Sequence, residues 1–324
     1  MMTWTISNLV LLLTSEIIIG CSSFSTSRFR KREIQTNRPI IGIMAQTTNG
    51  EPFEKFGKSY IAASYVKYLE SSGARVVPIM NNLTEGEIEK LFYSLNGFLL
   101  PGGGANFISS GYAKTSRIIF NLAKKAFDEG DYFPLWGTCL GFEYLSTVAS
   151  GSLDILSRTD TENLPIPLNF SQDYRDSRLF RDISDDLAKF LSSAPTTINM
   201  HRSSVYTSKF KENKNISNFF QILSTNNDRN GIDFVSTVEG KKYPVYATQW
   251  HPEKNAFEWT LHENIPHEAM SIKVTQYMSN FFVDEARYSK HKFEKLEDER
   301  AALIYNYPPV YTGNISNFDQ CYIF

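Results

Sequence analysis

A cysteine stands between two glycines where an apolar segment meets a helical one. The run Gly137-Thr138-Cys139-Leu140-Gly141 has the form of a nucleophile elbow, in which the glycines allow a sharp turn that strains the backbone of the nucleophile. At the start of a helix, the next amide is free to bind an oxyanion and the helix dipole lowers the pKa of the thiol. The pattern predicts a nucleophilic Cys139, although a buried structural cysteine beside loop glycines has the same short signature.

A histidine and a glutamate two residues apart follow a β-prone run that ends at Gln249. Residues two apart in extended backbone face the same way, so Glu253 can orient His251 as a base. Pro252 fixes the backbone between them. Taken alone, this segment is also typical of a surface turn, so the catalytic interpretation depends on the other motifs.

A proline and three glycines, Pro101 to Gly104, directly follow a short apolar run that ends at Leu100. Glycines at the carboxyl end of a strand expose backbone amides, and this rim of an open α/β sheet is where ligands bind. The run lacks the Gly-Lys-Ser/Thr ending of a phosphate loop and the spacing of a dinucleotide fingerprint. It therefore favours amide donors for a ligand over a nucleotide site.

The elements around these motifs alternate between strand and helix in the first half of the chain. Short apolar runs predict buried strands, and apolar residues at helical spacing predict the helices between them, with Thr84 as a cap. The predicted strands are 39–44, 74–79, 97–100 and 133–136. The predicted helices are one from Ile61 that ends near Gly73, then 84–95 and 115–129, and one after Gly141 that ends near Ala149. Repeated strand-helix units indicate right-handed crossovers and a mostly parallel sheet.

The second half of the chain has a different pattern of predicted elements. Residues 150–206 are rich in turn formers, and β-prone runs follow at 219–225, 232–238 and 243–250, with a hairpin turn indicated at Gly240 and Lys241. An amphipathic helix over 269–286 precedes a charged stretch and an aromatic tail. We interpret residues 39–324 as a single α/β domain.

The N-terminus has the pattern of a secretory signal peptide. Residues 9–19 are mostly apolar, too short a run to span a bilayer comfortably, and small polar residues follow from Gly20 to Thr26. We predict a signal peptide over residues 1–24 and a flexible leader over 25–38. A retained hydrophobic anchor and a bacterial lipoprotein site ending at Cys21 are the alternatives.

Composition limits the class of protein. The chain has 324 residues, 42% of them hydrophobic and 21% charged, and a net charge of −2, which is ordinary for a globular protein and excludes a fibre or a multi-span membrane protein. No broad cationic face is indicated, so nucleic-acid binding is not expected. Chance alone supplies about four Asn-x-Ser/Thr triplets in such a chain, but after a signal peptide they are candidate glycosylation sites. They lie at Asn82, Asn169, Asn215 and Asn314.

The three motifs, in this order and spacing, resemble the class I glutamine amidotransferase superfamily. Longer runs resemble the gamma-glutamyl hydrolase family in particular, and they extend the resemblance from Pro39 to the C-terminus. These runs are Tyr60–Ile79, Asp131–Glu143, Lys242–Lys254 and Tyr311–Ser316. The resemblance implies a three-layer α/β/α fold of flavodoxin-like type with a central, mostly parallel sheet.

The resemblance also implies hydrolysis of γ-glutamyl amide bonds in folate poly-γ-glutamates through a thioester, with neither metal nor cofactor. It makes Cys139 the nucleophile, His251 the base and then the acid, and Glu253 the group that orients the imidazole. The oxyanion hole would comprise the amides of Leu140 and of Gly103 or Gly104. Such enzymes are typical of lysosomes and secretions and are usually homodimers, with no membrane association expected once the signal is removed.

Two further residues are assigned to substrate binding. His201 matches a family histidine near the active site, and Glu143, one helical turn after Cys139, is placed to meet the α-amino group of the glutamyl substrate. A hydrogen-bonded loop histidine and a surface carboxylate are the alternatives for these two. We expect the other three histidines, His262, His267 and His291, to be solvated, and Cys321 to be free and structural.

Two other functions remain open at the level of sequence. A glutaminase subunit that passes ammonia to a synthetase would need a partner, because this chain has no room for a synthetase domain. A non-catalytic binding protein on the same fold is disfavoured by the intact Cys139, His251 and Glu253, although an intact set of residues does not prove turnover.

Overall fold

The computed structural model describes residues 32–324. The predicted signal peptide, residues 1–24, and the first residues of the predicted leader, 25–31, lie outside this part of the chain. The end of the leader is held by hydrogen bonds, because the amides of Gln35 and Thr36 donate to the carbonyl of Arg287 at 2.9 and 3.2 Å. The polar leader therefore enters the fold packed against the segment that follows the long C-terminal helix.

Strands and helices alternate through the first half of the described chain. In order, they are β1 (Ile40–Met44), β2 (Gln46–Thr47), β3 (Ser59–Ala62), α1 (Ala63–Glu70), β4 (Arg75–Ile79), α2 (Glu85–Phe92), β5 (Gly97–Leu100), α3 (Gly111–Asp128), β6 (Leu135–Thr138) and α4 (Leu140–Ser150).

The second half contains more and shorter elements. They are β7 (Leu156–Arg158), β8 (Leu164–Ile166), β9 (Asn169–Phe170), α5 (Asp185–Ser193), β10 (Thr197–Asn199), β11 (Ser203–Val205), α6 (Thr207–Glu212), α7 (Lys214–Phe219), β12 (Phe220–Asn227), β13 (Asp233–Gly240), β14 (Val245–Thr248), α8 (Lys254–Phe257), α9 (Ala269–Ala286), α10 (Leu296–Ala302), β15 (Val310–Tyr311) and β16 (Gln320–Ile323).

The central sheet has eight strands in the order β4-β1-β5-β6-β14-β13-β12-β9. The first five strands are mutually parallel, and the last three are antiparallel to their neighbours. β6 and β14 are adjacent, with Thr138 opposite Thr248 at their carboxyl ends. The sheet therefore brings the segments that begin with Cys139 and Gln249 to the same edge, although they are far apart in sequence.

Both faces of the sheet are covered by helices. Along β1, Ile40 and Met44 belong to one hydrophobic cluster while Ile41 and Ile43 belong to another, as expected where successive side chains point to opposite faces. The first cluster packs against α2, α3 and α4, and the second packs against α1, α5 and α9. The predicted three-layer α/β/α architecture with a mostly parallel sheet is confirmed.

Local signals located several elements correctly. Thr84 caps α2, with its hydroxyl accepting from the amide of Glu87 and the Glu87 carboxylate accepting from the amide of Thr84, and this reciprocal pair satisfies two free donors of the first turn. The helix predicted over 269–286 has these bounds, and the connection after Gly240 joins the antiparallel strands β13 and β14.

Other expectations were wrong where long-range contacts decide the structure. Residues 59–62, in the region where we predicted a helix from Ile61, are the strand β3, because the C-terminal strand β16 pairs with them. The turn-rich segment contains α5, whose N-terminus is capped by Ser184, and the charged stretch contains α10. No helix within residues 32–324 is long and apolar enough to cross a bilayer.

His291 was wrongly expected to be solvated. Its ring is buried, with Nδ1 2.8 Å from the carbonyl of Phe92 and Nε2 2.8 Å from a carboxylate oxygen of Asp131. These contacts join the segment after α9 to α2 and to the turn before β6. The charged residues around His291 in the sequence therefore gave no indication that this histidine is buried and has a structural role.

Candidate active site

Cys139 lies at the junction between β6 and α4 with a strained backbone. Its φ of 51° and ψ of −104° are unusual for a residue with a side chain. The amide of Cys139 donates to the carbonyl of Thr248 at 2.8 Å, which ties the turn to β14. A Cβ on Gly141 would lie 2.1 Å from the carbonyl oxygen of Leu100, so only glycine allows the start of α4 to approach β5 this closely. The elbow predicted from the Gly-x-Cys-x-Gly pattern has the expected backbone.

The thiol of Cys139 is buried and neutral at rest. Its sulfur is 3.9 Å from the carbonyl oxygen of Met200, to which the S–H donates. Burial, then the nearby carboxylates of Glu143 and Glu253, raise the pKa of Cys139 well above its usual value, and the hydrogen bond from the amide of Leu140 only partly opposes this. The amide of Leu140 at the helix start lowers this pKa, as expected, but burial and the two carboxylates outweigh it. A base must remove the proton when the sulfur reacts.

His251 and Glu253 form a buried pair. Nδ1 of His251 donates to Oε1 of Glu253 at 2.7 Å, and both side chains are almost fully buried. The two residues meet across a turn, since Glu253 has helical angles of −76° and −28°, and not along an extended segment as the sequence suggested. The amide of His251 donates to the carbonyl of Ile198 at 3.0 Å, which fixes the histidine next to β10. With Nδ1 engaged, Nε2 is the nitrogen left for proton transfer.

The glycine run lies between the cysteine and the histidine. A Cβ on Gly102 would be 2.8 Å from Cε1 of His251 and 3.3 Å from Cβ of Cys139, so the absence of a side chain lets the two residues approach one another. Gly103 has a φ of 154°, and a Cβ there would overlap the side chain of Gln46. Gly104 is exposed, with open space where a Cβ would stand. The amide of Leu140 faces the sulfur, which is the placement that an oxyanion donor requires.

Tyr65 is a member of the site that the motifs did not reveal. Its hydroxyl accepts from the amide of Gly102 at 2.8 Å, lies 3.3 Å from Nδ1 of His251 and hydrogen-bonds Glu253. Burial, and then the nearby carboxylate of Glu253, raise the pKa of Tyr65 well above the usual value, so the phenol stays protonated. The sequence gives only an aromatic residue on the apolar side of α1, and Tyr68, one turn later, has the same local signature.

Glu143 lies on α4, one turn after Cys139, with its side chain directed into the protein. Its Oε1 accepts from Nε2 of Gln249 at 3.2 Å, and Oε1 of Gln249 accepts from the hydroxyl of Ser204 at 2.9 Å. Burial raises the pKa of Glu143 to about 8, more than the bond from Gln249 lowers it. The carboxyl group is therefore protonated at acidic and neutral pH. It is not the surface carboxylate that was the alternative interpretation.

His201 lies in the segment that follows β10 and is hydrogen-bonded through both ring nitrogens. Nδ1 is 2.9 Å from both the hydroxyl of Thr161 and the carbonyl of Ser203, and Nε2 is 3.0 Å from Oδ1 of Asn199. Burial lowers the pKa of His201 to about 3. The preceding residue, Met200, contacts the sulfur of Cys139, so His201 is adjacent to the nucleophile without contacting it.

The four candidate glycosylation sites have exposed asparagines: Asn82, Asn169, Asn215 and Asn314. Asn169 lies in β9, the edge strand of the central sheet, and Asn215 lies in α7 with its side-chain amide donating to the carbonyl of Ser150 at 3.1 Å. Cys139 and Cys321 are both free and buried. Within residues 32–324, no group of three or more His, Cys, Asp or Glu side chains is arranged to hold a metal ion.

The geometry provides the parts for attack on a carbonyl carbon. Cys139 can act as a nucleophile, His251 with Glu253 as an oriented base, and the amide of Leu140 as a donor for developing negative charge. Tyr65 joins the glycine loop to the histidine and the glutamate. Together these groups fit acyl transfer through a covalent intermediate.

The chain is similar to several known proteins. Residues 39–253 match the family described as Peptidase C26. The chain is 47% identical to gamma-glutamyl hydrolase of Mus musculus over 98% of this chain and 99% of the mouse protein. It is 50% identical to gamma-glutamyl hydrolase of Bos taurus over 89% of this chain and 90% of the bovine protein. Among solved structures, the glutaminase domain of Trypanosoma brucei CTPS with bound acivicin matches 79% of this chain and 98% of that chain, with 15% identity and a TM-score of 0.48.

Proposed function

The chain belongs to the Peptidase C26 family, and on this premise we propose that it hydrolyses γ-glutamyl amide bonds of folate poly-γ-glutamates with Cys139 as the nucleophile. The observation that carries the proposal is the buried bond between His251 and Glu253, held beside a cysteine with strained backbone by the side-chain-free Gly102. A base oriented in this way is what a thiol of raised pKa needs in order to react.

The first half of the reaction forms a thioester. Nε2 of His251 takes the proton of the Cys139 thiol as the sulfur attacks the γ-carbonyl carbon, and Glu253 stabilises the imidazolium that results. The oxyanion of the tetrahedral intermediate accepts hydrogen bonds from the amide of Leu140 and from the glycine loop at Gly103 or Gly104. His251 then gives its proton to the leaving nitrogen, and the C–N bond breaks.

The second half returns the free enzyme. Water enters the position that the leaving amine has vacated and gives a proton to His251 as its oxygen attacks the thioester carbon. The tetrahedral intermediate expels the sulfur, which recovers a proton from His251. The products are a γ-carboxylic acid and the released glutamyl amine, and no electrons are exchanged with a cofactor.

Substrate recognition is assigned to Glu143 and His201. The sequence suggested that Glu143 meets the α-amino group of the substrate, but a protonated carboxyl group forms no ion pair with an ammonium group. We propose instead that protonated Glu143 donates a hydrogen bond to the α-carboxylate of a γ-linked glutamyl residue. Its pKa of about 8 keeps this donor available throughout the acidic and neutral range. His201 holds the segment that places Met200 beside the sulfur of Cys139.

The setting of the enzyme is part of the proposal. We propose that residues 1–24 are removed as a signal peptide and that the remaining chain, a single domain from residue 39, works in lysosomes or outside the cell as a homodimer. The exposed asparagines of the four Asn-x-Ser/Thr sites would then carry glycans.

The test is hydrolysis of pteroyl-penta-γ-glutamate at acidic and neutral pH, with the products separated by chain length. Wild type is expected to shorten the chain, Cys139→Ala is expected to be inactive, and Cys321→Ala is the control that removes the other buried thiol. Binding of the intact substrate without turnover by wild type would refute the proposal and favour a binding protein. Equal turnover by Cys139→Ala would refute the nucleophile.

A further inference from the structure

A cavity of about 510 Å³ lies beside the start of α3, outside the group of residues around Cys139. Lys114 and Arg117 line it from α3, Phe107 and Ile108 from the loop after the glycine run, and Leu153 from the turn that follows α4. Ile108 and Leu153 expose 77% and 46% of their surface. Exposed aliphatic side chains beside two cations suit a ligand with both methylene groups and negative charges.

The two cations are not neutralised by the protein. Lys114 and Arg117 are exposed on neighbouring positions of the same helix face, and no carboxylate in residues 32–324 lies within 4.0 Å of either charged group. Arg117 hydrogen-bonds the hydroxyl of Tyr144. Glu85 also lines the cavity, so the wall carries two positive charges and one negative charge. Like charges three residues apart repel on a helix, and a bound anion would relieve that repulsion.

The cavity shares two elements with the active site. The loop from Pro101 that passes between Cys139 and His251 continues to Phe107 and Ile108 in the cavity wall. Helix α4, which begins after Cys139, contributes Tyr144 and Thr147. Thr147 is eight residues from Cys139, which corresponds to about 12 Å along a helix axis. An extended γ-linked glutamyl unit spans about 6 Å, because it adds two carbons to an ordinary residue, so a substrate chain running along α4 from Cys139 would reach the level of Thr147 after about two units.

We propose that this cavity is a subsite for the α-carboxylates of glutamyl units remote from the bond being cleaved, with Lys114 and Arg117 as the binding residues. The inference rests on the proposed function and extends it, because it makes affinity depend on the length of the poly-γ-glutamate chain. Methylene groups of the chain pack on Phe107, Ile108 and Leu153, while the two cations pair with successive carboxylates. A substrate with too few glutamyl units reaches Cys139 but not this cavity.

The first experiment compares pteroyl-di-γ-glutamate with pteroyl-penta-γ-glutamate as substrates. The double variant Lys114→Gln/Arg117→Gln is expected to raise KM for the pentaglutamate about tenfold, with kcat unchanged and the diglutamate unaffected. The control is Lys90→Gln/Lys125→Gln, which removes two exposed lysines, one from α2 and one from α3, outside the cavity. The same change in KM for both chain lengths, or for both double variants, would overturn the subsite.

A binding experiment tests the subsite without turnover. Penta-γ-glutamate that lacks the pteroyl group is titrated by calorimetry into Cys139→Ala protein with and without Lys114→Gln/Arg117→Gln. We expect about tenfold weaker binding in the latter, and a steeper loss of affinity with salt when the two cations are present. Equal affinity of the two proteins would overturn the subsite even if hydrolysis is observed, whereas weaker binding by the variant would support it even if the wild type does not hydrolyse folates.

Discussion

The surroundings of Cys139 and Cys321 show the same functional group in two roles. Both thiols are free and buried, and burial raises the pKa of each, to about 12 for Cys321. Cys321 lies in β16 with regular pairing to β3 and accepts a hydrogen bond from the hydroxyl of Thr312 at 3.5 Å. Cys139 lies on a strained turn next to the buried pair of His251 and Glu253. In the proposed mechanism, the reactivity of Cys139 therefore comes from the partners of the thiol and the backbone that presents it, and not from its resting pKa.

Replacing His251 should make Cys139 behave like Cys321. In His251→Gln no base takes the proton from a thiol whose pKa is raised, so kcat is expected to fall by about 10³-fold or more. Steady-state hydrolysis of pteroyl-penta-γ-glutamate gives kcat, and mass-resolved alkylation compares the two cysteines. If Cys139 is still alkylated much faster than Cys321 in this variant, the backbone turn alone activates the thiol and the role given to His251 is wrong.

Tyr65 and Tyr68 offer a matched pair on one helix. The hydroxyl of Tyr65 accepts from the amide of Gly102 and contacts the histidine–glutamate pair, whereas the buried hydroxyl of Tyr68 has no hydrogen-bond partner within residues 32–324. Tyr65→Phe should lower kcat about tenfold, because it leaves a buried amide unsatisfied beside the base. Tyr68→Phe should leave kcat unchanged and keep or increase stability. Equal kcat for the two variants would show that Tyr65 only fills space.

Burial raises the pKa of Glu258, near Cys321, to about 7, and Glu143 makes the environment of Cys139 depend on pH in a similar way. Its pKa of about 8 in the folded protein lies above its ordinary value, so folding takes up a proton between about pH 4.5 and 8, and stability falls as pH rises through that window. When Glu143 ionises, it also loses the proton that it donates to the substrate. Relative to Glu143→Gln, wild type should lose several-fold in kcat/KM and some stability as pH rises from 6 to 9. If kcat/KM and stability change with pH in the same way in wild type and in Glu143→Gln, this role of Glu143 is wrong.

Removing the other thiol should have the smallest effect on catalysis. Cys321→Ala leaves a small cavity between β16 and the core and should cost about 1–2 kcal/mol of unfolding free energy, with kcat and KM unchanged. Urea unfolding and steady-state kinetics provide the two measurements. A large fall in kcat without a fall in stability would mean that the C-terminal strand positions Tyr65 through β3, and the two cysteine regions would then be coupled.

Sequence predicted those parts of the site that depend on neighbouring residues. The elbow at Cys139 follows from glycines two residues away on each side, and the pairing of His251 with Glu253 follows from a spacing that brings them together even across a turn. The first half of the fold is equally local, since each parallel strand is an apolar run between helices with clear periodicity.

The remaining features depend on contacts between distant segments. Tyr65 is distinguished from Tyr68 only by its position beside Gly102, and Met200 is placed next to the sulfur by β10, which nothing in its own turn-rich segment indicates. Strand β3 forms because the last residues of the chain pair with it. The raised pKa of Cys139 likewise follows from burial and from two carboxylates that the fold brings near, which outweigh the helix start seen in sequence.

The most direct test of the difference between the two cysteines is to trap the acyl-enzyme. Wild-type protein is mixed with pteroyl-penta-γ-glutamate at acidic pH, quenched with acid within the first turnover, and digested for peptide mass spectrometry. We predict that the mass of a γ-linked acyl group appears on the peptide containing Cys139 and never on the peptide containing Cys321, and that it is absent in Cys139→Ala. Turnover with no acyl group on Cys139, or with the acyl group on Cys321, would contradict the mechanism.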